Sequence, residues 1–235
     1  MFDRLTTHLL DLVFPPFCQG CTREGSYLCL VCQNRINVPI HRCPVCNRNS
    51  PLGRVHEHCS SESTALSGLM VASEYRNPAV KNLIWHLKYN SVKAISETLA
   101  TIMADFLVGS DLVDYFHDSL VIPVPMHEKR ERFRGFNQAE TLAKHLARNL
   151  HLEFSPALTK TKKTDRQVDL EKRERLENVK NVFSLTPHFN RQLLSGRSIL
   201  LIDDVATTGA TLNECAKVLN AHEPAEIWGL VVARN

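Results

Sequence analysis

Residues Ser198 to Thr211 read SILLIDDVATTGAT, and this stretch decides the architecture. Ile199 to Ile202 is a short, unbroken apolar run, which suits a strand buried on both faces. Asp203 and Asp204 follow at its carboxyl end. Small and hydroxylated residues come next: Ala206, Thr207, Thr208, Gly209, Ala210 and Thr211. Leu212, Ala216, Val218 and Leu219 then predict a helix. A strand, a tight loop of small residues and a helix N-terminus make an anion site: loop N–H groups converge, the helix dipole favours negative charge and threonine hydroxyls donate. Two adjacent carboxylates beside such a cradle suit a polyol or a hydrated Mg²⁺.

This segment resembles the fingerprint of the type I phosphoribosyltransferases. The resemblance implies that Asp203 and Asp204 hold the ribose hydroxyls of phosphoribosyl pyrophosphate (PRPP) and serve catalysis. It also implies that Ala206, Thr207, Thr208, Gly209 and Thr211 surround the 5-phosphate. The bland alternative, acids that merely cap a strand before a turn, fits the order and spacing less well. In the enzymes that salvage 6-oxopurines, the position of Thr207 is an aspartate acting on the purine. Threonine there argues against hypoxanthine or guanine as acceptor, and brings the resemblance closer to the amido- and orotate-type branches.

With 235 residues the chain can build one main core and a small module. A hydrophobic fraction of 43% and a charged fraction of 23% are those of an ordinary globular protein. A net charge of +3 does not by itself argue for nucleic acid, although a local basic patch would. No apolar run is long enough to span a membrane. The N-terminus looks briefly like an export signal, but Asp3 and Asp11 interrupt it and no small-residue cleavage site follows. Phe2, Leu5, Leu9, Leu12 and Val13 fit one face of a short packing helix better.

Seven of the eight cysteines lie between residues 18 and 59. Cys18, Cys21, Cys29 and Cys32 form two CxxC knuckles, which present four thiolates to one tetrahedral ion and predict a structural Zn²⁺ site. Cys43, Cys46 and Cys59 need a fourth ligand for a second site. His56 copies the knuckle spacing with Cys59, and His58 is its rival. Disulfides are the alternative, but regular CxxC pairs without an export signal argue against them. A segment this small has little core of its own, so metal binding should drive its folding. Cys215 falls on the helix after the threonine loop and is expected to pack.

Residues 60 to 66 are mostly small and polar and suit a linker. Leu69 to Ser73 suits a strand. Asn77 and Pro78 open a helix that carries Val80, Leu83, Ile84 and Leu87 on one face. Its last turn holds His86 and Lys88, which read equally as a solvated face. A second helix is expected over Val92 to Leu107. Leu120 to Val124 is a strand, followed by a basic loop with His127, Lys129, Arg130, Arg132 and Arg134, then by a helix from Asn137 to Leu150. In a parallel sheet such a loop faces the same crevice as the threonine loop. Arg130 and Arg134 would suit a pyrophosphate there. Thr159 to Asn178 is dense in charge and reads as an exposed helix or as a mobile lid bringing Lys163 or Arg166 over the ligand. Val182 to Leu185 is a short strand, and Ile227 to Ala233 is expected to close the sheet.

The CxxC head, YRNPAVKNLIWHLKY, IPVPMHEKRERFRGFNQAE, TDRQVDLEKRERLENVKNVF and ILLIDDVATTGAT together resemble the ComF family of competence proteins. The resemblance covers nearly the whole chain. It implies an α/β fold of the type I phosphoribosyltransferase kind, with a parallel-sheet core flanked by helices. Residues 1–62 would be a zinc-ribbon module with a leading helix, and residues 63–235 the phosphoribosyltransferase domain. It further implies a role in natural transformation and DNA uptake, with PRPP and Mg²⁺ at the site and an acceptor still to be named. The alternative is an adaptor without catalysis that binds PRPP, a nucleotide or single-stranded DNA. A helicase or other competence protein would then be the partner, and the place the cytoplasm, at the inner face of the inner membrane.

Overall fold

In a computed structural model the described residues are 15–60, 64–89, 94–161 and 182–235. The leading helix, the charged segment with Lys163 and Arg166, and the first residues expected of the second helix lie outside them.

The apolar runs assemble into a five-stranded parallel sheet in the order β1-β7-β6-β2-β3. Its strands are β1 (Gly68–Glu74), β2 (Leu120–Pro123), β3 (Glu153–Phe154), β6 (Ser198–Ala206) and β7 (Glu226–Arg234). A separate antiparallel ribbon pairs β4 (Leu158–Lys160) with β5 (Phe183–Leu185). β7 is not at an edge, as a closing strand would be. It lies between β1 and β6. Seven of its nine residues are buried, as for a strand paired on both sides and covered on both faces.

Side chains alternate across the sheet as the two-residue pleat requires. Met70, Ala72, Val121, Leu200, Ile202, Trp228, Leu230 and Val232 enter one core, while Leu69, Val71, Leu120, Ile122, Ile199, Leu201, Ile227 and Val231 enter the other. The first face is covered by α2 (Pro78–Tyr89), α3 (Ala94–Gly109) and α5 (Gln138–Leu150), which follow α1, a single turn in the head (Leu30–Gln33). The second face is covered by α6 (Ala210–Asn220) and the ribbon. Asn77 caps α2 as expected, its Oδ1 accepting from the Ala79 and Val80 N–H groups at 3.0 and 3.3 Å.

The basic segment after β2 is not a loop throughout. Glu128–Arg134 forms a short helix, α4, in which no residue is buried. His127 caps it by accepting from the Lys129 N–H at 3.2 Å, and acidic Glu128 and Glu131 in its first turn with Arg132 and Arg134 in its last complement the helix dipole.

The cysteine-rich head packs on the body. Cys18, Leu28 and Cys32 join the first core. Gln33 Nε2 donates to Asp105 Oδ2 at 2.6 Å, and Asn82 Nδ2 to the Gln19 carbonyl at 3.3 Å. Farther along, the Val71 N–H donates to His41 Nε2 at 3.1 Å, and Arg54 forms an antiparallel bridge with Gly68 at the start of β1.

Candidate functional site

β6 runs on through the acid pair to Ala206, farther than its apolar residues alone imply. Its pairing with β2 stops at Ile202, whereas β7 follows it to Ala206. Asp203 and Asp204 therefore stand where one flanking strand has ended, beside the segment that leaves β2. The Asp204 N–H donates to Asp203 Oδ1 at 2.9 Å, and the Val205 N–H to Asp204 Oδ1 at 2.6 Å. Burial, and then the neighbouring Asp204 carboxylate, push the Asp203 carboxyl up to about 7.

Thr207 to Gly209 turns the chain into α6. Gly209, at φ +81°, adopts the left-handed conformation that side chains disfavour, with Leu69 directly behind it. Thr208 Oγ1 accepts from the Ala210 N–H at 3.2 Å. Thr211 sits in the first turn of α6. Ala206 is buried and contributes backbone only, its carbonyl accepting from the Asn235 N–H at 3.0 Å. Arg234 Nε donates to the Thr207 carbonyl at 3.1 Å.

The basic segment leaves β2 at the end of the sheet where this loop leaves β6. Asn137 ties it to β2, donating through Nδ2 to the Val124 carbonyl and accepting from the Ala139 N–H, each at 3.1 Å. Arg134 donates to Gln138 Oε1 at 3.1 Å, and its guanidinium lies 5.9 Å from the centre of the Tyr89 ring. Arg130 is close enough for its charge to act on Lys160. Phe136 is buried and packs, while Phe133 is exposed.

Three cations at this end of the sheet went unassigned on sequence. Lys88 Nζ lies 3.1 Å from Asp204 Oδ2. Lys160, on β4, is brought down to about 8 by burial and by Arg130, with Asp203 acting against them. Arg234 closes the set. Lys88 left a trace: it follows the apolar Ile84 by four positions, on the margin of the helix face that turns inward. Lys160 belongs to the charged segment expected as a helix or lid, but it lies on strand β4, and Arg234 left no trace, because pairings remote in sequence bring both here.

In the head, Cys18, Cys21, Cys29 and Cys32 form one tetrad and Cys43, Cys46, His56 and Cys59 another, with the ligand atoms of each within 4.8 Å of one another. Cys21 Sγ and Cys29 Sγ are 3.6 Å apart, close to the roughly 3.8 Å edge of a tetrahedron built on Zn–S bonds of about 2.3 Å. His56 faces Cys46 Sγ through Nδ1 at 3.3 Å, and His58 stacks on His56. It is thus His56 that the fold groups with the three thiols. Burial raises the Cys18 thiol, but the N–H groups of Cys29, Gly20 and Cys21 outweigh it and bring the thiol down to about 6. Cys43 is lowered to about 6 in the same way by Cys46, His56 and Val45. The donor sets fit zinc.

Residues 137–235 match the phosphoribosyl transferase domain family. DNA utilization protein YhgH of Escherichia coli K12 is 30% identical over 237 residues, spanning 93% of this chain and 98% of its own. Competence protein F of Haemophilus influenzae is 32% identical, over 88% of this chain and 90% of its own. The chain belongs to the competence protein F family. Competence protein ComFC of Bacillus subtilis, 27% identical over 84% of this chain and 79% of its own, is a more distant relative. This chain combines a phosphoribosyltransferase-type domain with a head in which two clusters could each hold a metal ion. Among the described residues no helix is long and apolar enough to cross a membrane.

Proposed function

We propose that this member of the competence protein F family binds PRPP with Mg²⁺ at the edge where β6 and β2 end, and transfers the phosphoribosyl group to an acceptor. One observation carries the reading: the acid pair, the Thr207–Gly209 loop and the cationic segment with Arg130 and Arg134 leave adjacent parallel strands on one side of the sheet. The loop N–H groups and the α6 dipole suit the 5-phosphate, and the carboxylates suit the ribose. Bound Mg²⁺ would neutralise charge on the leaving pyrophosphate. The arginines would supply fixed donors as negative charge builds there. Calorimetry with PRPP and Mg²⁺, joined to a pyrophosphate-release assay across candidate acceptors, tests this. Binding that disappears in Asp204→Asn supports it, and a wild-type protein indifferent to PRPP refutes it.

A binding role without chemistry is the second reading. Exposed Trp85, Tyr89 and Phe133 lie on the two helices that bear Lys88, Lys129, Arg132 and Arg134. Aromatic faces among cations suit the bases and phosphates of single-stranded DNA. Exposed Leu30, Val31 and Ile40 on the head suit docking to a protein of the DNA-uptake machinery, at the cytoplasmic face of the membrane. Steeply salt-dependent binding of single strands, undiminished by Asp204→Asn, would favour this reading over catalysis.

A further inference from the structure

Among the described residues, the protein itself occupies three of the four carboxylate oxygens of the acid pair. Asp203 Oδ1 accepts from the Asp204 N–H, Asp204 Oδ1 from the Val205 N–H, and Asp204 Oδ2 pairs with Lys88 at 3.1 Å. The two acids therefore differ in task. Asp203 keeps one oxygen with no donor among the described residues, whereas both oxygens of Asp204 already have a partner, one of them an ammonium, with lone pairs left for a sugar hydroxyl.

That ammonium has a defined approach. Lys88 lies in the last turn of α2, on the sheet face opposite α6, and its neighbour Tyr89 lies under the Arg134 guanidinium at the end of α4. Lys88 thus reaches the acid pair from the side of the basic helix. Its side chain is 22% exposed and that of Asp204 11%. An ammonium carries three N–H donors, and one carboxylate oxygen engages one of them. Fixing a long, flexible side chain costs rotamer entropy, which the partly buried carboxylate offsets. The result is a cation at a set position, with donors left for a second partner.

Resting on the phosphoribosyl reading above, we propose that Lys88 is a ligand-binding residue: held by Asp204, it donates to the pyrophosphate group of a sugar whose terminal phosphate lies in the Thr207–Gly209 loop. A sugar anchored at that loop and lying over Asp203 directs its remaining anionic group toward Lys88 and α4. Lys88 then adds a positive charge beside the leaving group, while the acid pair reads the sugar hydroxyls.

The test compares PRPP with ribose 5-phosphate at constant Mg²⁺, by calorimetry on the full chain and on Lys88→Met. The variant should lose about tenfold or more in affinity for PRPP, as expected when a charge-assisted hydrogen bond is removed, and keep its affinity for ribose 5-phosphate within about twofold. Equal loss for both ligands would show that Lys88 only shapes the acid pair, and no loss for either would show that it does not touch the ligand; each overturns the inference. Lys88→Gln, which keeps a polar end without the charge, must give the same split. A wild-type protein that binds neither ligand defeats the phosphoribosyl reading itself, a result distinct from failure of the Lys88 proposal alone.

Discussion

Arg234, near the end of the last strand, donates through Nε to the carbonyl of Thr207 at 3.1 Å. The first residue of the threonine loop is thereby fixed from behind by a guanidinium more than twenty positions away in sequence. Arg234 is half-buried, and the charges of Arg42 and Cys43 in the head act on it. The threonine loop and the second cysteine cluster therefore share a neighbour. Replacing Arg234 by methionine keeps most of the packing and removes the bond. We expect PRPP affinity to fall about tenfold, the scale of a lost hydrogen bond from a charged donor, with only a few degrees lost in Tm. Calorimetry and thermal unfolding read both, and unchanged affinity would mean that the loop holds its shape unaided.

His56 has its ring nitrogen grouped with the thiols of Cys43, Cys46 and Cys59, so we expect it, and not His58, to be the fourth ligand. His56→Ala should leave the protein with one equivalent of zinc and His58→Ala with two, measured by elemental analysis of purified protein. Because Cys18 and Cys32 also belong to the main core, stripping the first ion should lower the stability of the whole chain and not of the head alone. Loss of zinc from His58→Ala instead would contradict the assignment.

Gly53 seats the head on β1. It has φ +73°, and a Cβ there would lie 2.1 Å from the Leu69 carbonyl oxygen. Gly53→Ala must move backbone on one side or the other, at a cost of about 1–3 kcal/mol. Urea unfolding should show a lower midpoint with an unchanged slope. A midpoint equal to wild type would show that head and strand are not held this closely.

Asp203 gives stability a pH dependence of unusual sign. Burial and the Asp204 carboxylate hold its folded pKa up at about 7, against about 3.9 for an unfolded aspartate. The folded state binds the extra proton, so this group's contribution is full below about pH 4 and is lost as pH rises through about 7. Asp203→Asn should therefore gain on wild type as pH rises from about 4 to about 7, with a larger gain at about pH 8 than at about pH 5. Urea unfolding at the two pH values provides the comparison. A difference that does not change with pH would mean that Asp203 ionises like an exposed acid.

In the sequence, the apolar runs pointed to buried strands, the paired acids before a threonine loop to an anion site and the cysteine spacing to two metal tetrads, while the parallel-sheet fold came with the family resemblance. These are local signals, carried by residues near one another in the chain. The interior place of β7, the approach of Lys88 and Lys160 to the acid pair and the bond from Arg234 to the threonine loop belong to the tertiary structure alone. Each depends on strand order and on how far neighbouring strands run together, which pairs residues tens to more than a hundred positions apart. A lysine on the margin of an amphipathic helix looks the same in sequence whether it faces water or a carboxylate. Only packing α2 against the sheet, which brings its last turn to the end of β6, decides between them.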